Sequence, residues 1–322
     1  MKRDEPQVIM FDDGRHASGF YQFEPPMSAD DLLLNIDQLI DSGIDTYVYF
    51  AVIEGGTVMY DSKVSQVWGD NVEKWNHFVW YRASRLIKQL IAEGNDPLKL
   101  ICDRCHEKGI WCIPQNPASL LGGTREQDGG LGRKSDFVYD HPEFECGPED
   151  DPRAELVRPE RFSMLHQEVR EERLASSEEL LTRYETDGIV LNMYEFVPFC
   201  RFDEVDELEP VMTEWMRSLK AVAAKAEEAQ GRRKRIYIHI PAQPVAWKML
   251  GFDVPTWVEE KLTDGLICQT GLRHGPVDHD LDLTDARNLA DGNDCRVFAA
   301  FRNLLGRQLD RYATPPMVWA AA

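Results

Sequence analysis

The sequence has no apolar run approaching the roughly 20 residues that cross a bilayer, and Met1-Lys2-Arg3-Asp4-Glu5 leads into a short apolar strand, not a signal-peptide core. On this reading a membrane protein is excluded and the cytoplasm is the expected location; a leader upstream of this chain would change that address. Basic charge is scarce: Lys plus Arg number 36 against 56 Asp plus Glu, a net charge of -20. Such a chain repels phosphate backbones and anionic lipid, so neither nucleic acid nor membrane is an expected partner. Cysteine is also sparse. The seven, at 102, 105, 112, 146, 200, 268 and 295, are too unevenly spaced for a disulfide framework and read as buried thiols. Cys102 and Cys105 have CxxC spacing, but within a helical pattern and with no second pair. The eight histidines form no HExxH or HxH pattern, so no metal is expected, although His274, Asp278 and His279 would be the best-placed ligands. No Gly-rich phosphate loop appears, and no cofactor is expected.

What the sequence does have is regular alternation. A chain of 322 residues that is 43 % hydrophobic can bury a large core, and the expected organisation is one domain over residues 1–322. Apolar strand-length runs occur at 7–11, 45–53, 110–114, 236–240, 264–269 and 296–301, with the central one in 184–199. Between them lie helical patterns at 28–40, 75–92, 97–108, 162–184 and 204–229. Strands separated by helices argue for parallel βα units with right-handed crossovers. Seven strands fall one short of a closed barrel, so the expected fold is an α/β (β/α)8 TIM-type barrel truncated before its eighth strand. A helix opening at Thr314 is expected to run to Ala322, and the basic run Arg232-Arg233-Lys234-Arg235 reads as the solvated end of a helix.

The chain is organised around residues 184–199, where an Asp-Gly turn leads an apolar run that ends in Asn192-Met193-Tyr194-Glu195. In an α/β barrel the C-terminal ends of the strands build the active site, so Asn192 and Glu195 fall where chemistry is done and Asp187 at the opposite end. The same logic makes candidates of Asp12, Asp13 and His16 after the first strand, Glu54 after the second, and Gln115 and Asn116 after the third. It adds His239, Gln269, His274 and Asn303 on or after later strands, while Tyr60, Trp68 and Trp75 would stack on sugar rings. About forty residues dense in Gly, Asp, Glu and Pro follow Pro117, a length usual only for functional or mobile loops.

The run Arg183-Tyr184-Glu185-Thr186-Asp187-Gly188-Ile189, preceded by Glu168-Val169-Arg170, resembles the helix-to-strand passage of glycoside-hydrolase-like barrel proteins. The resemblance covers residues 162–269 and implies a carboxylate at the end of the strand, where this chain has Asn192. Residues 187–195 also resemble the α-glucosidase motif Asp-Gly-x-Trp-x-Asp-Met-Asn-Glu, which implies a nucleophile's position for Asn192 and an acid's for Glu195. An amide cannot form a glycosyl ester. Glycoside hydrolysis needs two carboxyl groups, one held protonated. Glu195, between apolar Tyr194 and Phe196, suits the general acid, with Asp13 and Glu54 the first choices for its partner and Asp12, Asp61 and Asp278 behind them. The expected function is hydrolysis of oligo- or polysaccharide. The alternatives are a carbohydrate-binding barrel without turnover, and a barrel lyase, aldolase or isomerase; the absence of a strand-end lysine counts against the aldolase. The oligomeric state is left open.

Overall fold

The structure is a computed structural model that describes residues 5–14, 19–147, 151–153, 160–195, 197–271, 281–301, 304–305, 311–312, 314 and 316–317. The chain begins with β1 (Ile9–Asp12), α1 (Gly19–Gln22), α2 (Ala29–Asp37), β2 (Thr46–Tyr49), α3 (Phe78–Ala92) and α4 (Pro97–Glu107). Next come β3 (Trp111–Cys112), β4 (Gln115–Pro117), α5 (Arg125–Asp128), α6 (Asp136–Asp140), α7 (Gln167–Thr182) and β5 (Gly188–Asn192). The last part holds α8 (Val205–Gln230), β6 (Arg235–Pro241), α9 (Pro244–Leu250), α10 (Val254–Glu259), β7 (Gly265–Gln269), α11 (Thr284–Ala290) and β8 (Arg296–Ala299). The caps follow from side-chain chemistry: Ser28 and Asp31 close a capping box on α2, and Asp96 caps α4 ahead of Pro97.

The strands form parallel sheets in the orders β1-β2-β3 and β4-β5-β6-β7-β8. The two are continuous. β3 and β4 are halves of one strand, which gives Ile113 N to Tyr47 O at 3.1 Å, takes Val190 N on Pro114 O at 3.0 Å and bridges Phe50 to Gln115. Pro114 has no amide to donate, and the ladder breaks there. The array curls: Phe11 of β1 lies 5.5 Å from His239 of β6 between ring centroids, and Glu5 pairs with Arg235 at 2.7 Å. The Gln7 amide lies 2.9 Å from an Arg296 guanidinium nitrogen, and its oxygen accepts there once the amide is turned over. The expected parallel α/β array is therefore present, but among the described residues no backbone pairing joins β8 to β1.

Side chains alternate between two cores. Val48, Trp111, Ile113, Val190, Tyr237 and Ile267 fill the concave interior, with Ile9 and Phe298 against them. The opposite parity packs a larger core against the helices. Strands buried on both faces read as unbroken apolar runs, which is why the sequence pattern located them.

One device recurs at the N-terminal ends of the strands. Asp45, Asp187 and Asp264 each immediately precede a strand and accept backbone amides of the preceding strand: Gln7 N at 3.0 Å and Val8 N at 3.2 Å, Cys112 N at 2.9 Å, and Ile236 N at 2.9 Å. The glycines after the last two make room for their neighbours. A Cβ on Gly188, whose φ is 150°, would fall 2.0 Å from Arg235 O, and one on Gly265 would fall 2.7 Å from the Tyr237 ring. The basic run is not a solvated helix end. Arg232 pairs with Asp187, Arg233 with Asp264 and Arg235 with Glu5, while buried Lys234 donates to Thr186 O at 2.6 Å.

Three further expectations change. α7 starts at Gln167, because Phe162 is taken up in a β-bridge with Glu145 and Ser163 bonds back to Phe144 O. α3 starts at Phe78, capped by the His77 ring. An antiparallel pair, β9 (Leu304–Leu305) and β10 (Arg311–Tyr312), follows β8. The loop after β4 is also structured, holding α5, α6 and antiparallel bridges. All seven cysteines are free, with Cys102 and Cys112 Sγ 3.3 Å apart in the core. Among the described residues no helix is long and apolar enough to cross a membrane.

Candidate functional site

In a strand, side chains two residues apart share a face. Moving two residues beyond the interior core, towards the C-terminal ends, gives the next layer of the concave face: Phe11, Gln115, Asn192, His239 and Gln269. Here the interior turns from aliphatic to polar. Asn192 and His239 are register partners on adjacent strands.

Asn192 organises the turn that follows β5. Its Oδ1 accepts Tyr194 N at 3.2 Å and Glu195 N at 3.0 Å, and its Nδ2 donates to Glu195 Oε2 at 3.1 Å. An amide can accept from the backbone and donate to a carboxylate at once, whereas an aspartate there would set like charges about 3 Å apart. Glu195 is half-buried and held on the layer by that bond.

His239 is packed between rings. Tyr194 stacks on it at 5.0 Å and 22°, anchored by its hydroxyl to Thr270 O at 2.5 Å; the Phe11 ring lies on another side. His239 Nε2 meets Gln269 Oε1 at 3.0 Å. Burial pushes the imidazole pKa down to about 4, against a weaker upward pull from the Gln269 hydrogen bond, so the ring is neutral at physiological pH. Gln115, His239 and Gln269 are 1 %, 6 % and 4 % exposed. Among the described residues no group bonds Gln115 Nε2, His239 Nδ1 or Gln269 Nε2.

The other expected site residues lie elsewhere. Asp12 has the opposite parity and faces α2: its carboxylate takes bonds from Gly14 N, Asn35 Nδ2 and the Tyr47 hydroxyl. Asn116 faces α7, donating to Ser177 Oγ at 3.0 Å and accepting from Arg173 at 3.1 Å. Trp68 and Tyr60 are fully buried, bonded to Leu131 O and Glu179 Oε2, so neither ring face can meet a sugar. Trp75 is half-buried against Tyr81. Glu54 is ion-paired with Arg133, which itself lies over the Trp80 ring. Asp61 pairs with Lys63 and Arg183 at the approach to β5, the end opposite Glu195. Asp13 is half-buried just after β1. His16, His274, Asp278, His279 and Asn303 lie outside the described residues. Among the described residues no group of His, Cys, Asp or Glu is arranged to hold a metal.

Sequence reasoning missed Phe11 of the layer and Tyr194, which stacks on His239. Phe11 shares the parity of Ile9 and stays 40 % exposed, an apolar ring at a polar mouth. Tyr194 follows the strand end and was visible only as a neighbour of Glu195. Counting by two from Ile9 would have found the first; nothing local marks the second.

No protein-family model matches the sequence, and no curated protein matches it. Solved structures do. The chain is similar to a cycloisomaltooligosaccharide glucanotransferase of a Paenibacillus species, solved with cycloisomaltoheptaose: TM-score 0.51 and 12 % identity over 93 % of this chain and 39 % of that one. Weaker likenesses are to the PgaB glycoside hydrolase domain of Bordetella bronchiseptica (TM-score 0.46, 14 % identity, 82 % of this chain and 74 % of that one) and to α-L-fucosidase isoenzyme 2 of Paenibacillus thiaminolyticus (TM-score 0.45, 12 % identity, 98 % and 48 %). At such identities the likeness is one of fold: the chain shares an α/β fold with the Paenibacillus glucanotransferase and spans about two fifths of its length.

Proposed function

We propose that this protein is a glycoside-hydrolase-like enzyme that binds oligo- or polysaccharide at the C-terminal mouth of its curled sheet, with Glu195 as general acid. The observation that carries the reading is Glu195 itself, a half-buried carboxyl fastened by Asn192 to a layer of neutral polar side chains beside the exposed Phe11 ring. Polar groups to bond hydroxyls, an apolar ring for a pyranose face and a carboxyl for the glycosidic oxygen are the parts hydrolysis requires. The reading takes the curled array as part of a (β/α)8-type barrel, seven of whose strands lie among the described residues, supported by the Phe11–His239 and Gln7–Arg296 contacts. Asp13 and Glu54, which follow the first two strands, are the candidate partner carboxylates, Glu54 being ion-paired with Arg133.

A second reading, a carbohydrate-binding barrel without turnover, is supported by Asn192, an amide at the strand end where the motif resemblance implies an acid. A panel of oligosaccharides, assayed for binding and for reducing ends released, separates the two. In the enzyme, Glu195→Gln lowers kcat by about two to four orders of magnitude with binding retained, and Asp13→Asn or Glu54→Gln, whichever removes the partner, lowers it comparably. Binding without release by the wild type selects the second reading. Hydrolysis by Glu195→Gln at the wild-type rate removes Glu195 from the mechanism.

A further inference from the structure

We propose that His239, Gln269 and Gln115 make the mouth selective for uncharged, hydroxyl-rich sugars over uronic acids and amino sugars. The inference rests on the reading above that the mouth is the ligand site, and it adds the class of ligand. Its basis is the hydrogen-bonding inventory. A glutamine oxygen only accepts, so the 3.0 Å contact places the imidazole proton on Nε2 and leaves Nδ1 a bare acceptor. Gln269 Nε2 and Gln115 Nε2 remain donors. Turning the Gln269 amide and exchanging the tautomer gives the same complement of one acceptor and one donor from the pair.

The layer thus offers a lone pair and N–H groups, all more than nine-tenths buried, and the neighbouring ring surfaces of Tyr194 and Phe11 hold the imidazole in place. A hydroxyl donates and accepts, so a polyol satisfies both kinds of group. A carboxylate has no proton for His239 Nδ1. An ammonium has no lone pair for the glutamine amides. With Glu195, the one carboxyl fastened to the layer, replaced by Gln, either ion would also be desolvated among neutral members, Gln115, Asn192, His239 and Gln269, and a buried charge without a partner is costly. Beneath lie the aliphatic Ile113, Val190 and Ile267 and the ring of Tyr237, whose buried hydroxyl bonds no group among the described residues.

The test is calorimetric titration of Glu195→Gln protein at neutral pH with neutral gluco-, galacto- and manno-oligosaccharides and with their uronic acid and 2-amino counterparts. Neutral members are expected to bind at least about tenfold more tightly than their charged counterparts, the loss that follows from leaving one buried group unpaired. Combining Glu195→Gln with His239→Phe, which keeps a ring between Tyr194 and Phe11, or with Gln269→Met, should bring that preference to within about threefold. If one of these pairs does not fold, the other and Gln115→Met carry the same expectation. Charged sugars binding as tightly as neutral ones, or a preference that survives all three substitutions, would overturn the proposal while leaving the site reading intact. Binding of no sugar at all overturns both.

Discussion

His239 is the residue on which the interior changes character, and its environment has a thermodynamic signature. The ordinary imidazole pKa is 6.5 and the buried one about 4, so between those values the unfolded chain binds a proton that the folded chain does not. Stability from this group is complete above about pH 6.5 and is lost as pH falls towards 4, with a slope of up to about 1.4 kcal/mol per pH unit. Carboxylates titrate in the same window, so the readout is a difference. Urea unfolding between about pH 4.5 and 6.5 should show a flatter dependence for His239→Phe than for the wild type, and identical slopes would mean that His239 is solvated. The site was partly legible because Gln115, Asn192, His239 and Gln269 stand at or near strand ends, a property of order along the chain. Asp12 and Asn116 stand there too, yet they face the helices, because facing depends on parity and parity must be counted from a residue already known to point inward. Trp68 and Tyr60 could not be placed from sequence, since their burial comes from the remote partners Leu131 and Glu179.

Among the elements, β5 shows what an Asp-Gly pair does at the head of a strand. Asp187 is 1 % exposed and takes Cys112 N, His106 Nε2 and Arg232 Nη1, each at 2.9 Å. Asp187→Ala takes the acceptor from half-buried Arg232 and from a buried strand-end amide together, and should cost about 2 to 3 kcal/mol in denaturant unfolding. Glu185, also near Arg232 but with a side chain 73 % exposed, provides the control: Glu185→Ala should stay within about 0.5 kcal/mol. Equal effects would show that Asp187 merely turns the chain. Strand positions were legible because burial on both faces removes polar residues from the run. The break at Pro114 was not, for the proline is in plain view but its consequence depends on which neighbour needs its missing amide. The start of α7 was misplaced for a related reason, since Phe162 to Leu165 are apolar at helical spacing but are held by the loop after β4.

The whole molecule keeps its charges apart. Arg232, Arg233 and Arg235 are paired at the N-terminal ends of the strands with Asp187, Asp264 and Glu5, within a chain whose net charge is -20. Those pairs are short and partly buried, hence weakly screened, whereas repulsion among the excess acids is long-ranged. The melting temperature should therefore rise as NaCl is raised from about 10 to 150 mM, over which the Debye length shortens from about 30 to 8 Å. A fall would mean that surface pairs outweigh the net repulsion. The strand-leading aspartates also set a clock for a chain being made on the ribosome. Gln7 waits 38 residues for Asp45, Ile236 waits 28 for Asp264, and Cys112 waits 75 for Asp187. At about 5 to 20 residues per second, the third strand emerges about 4 to 15 s before the carboxylate that closes its end. The nascent chain therefore carries its longest-lived open edge while the loop after β4 is being translated, and that is the interval in which a chaperone would find it.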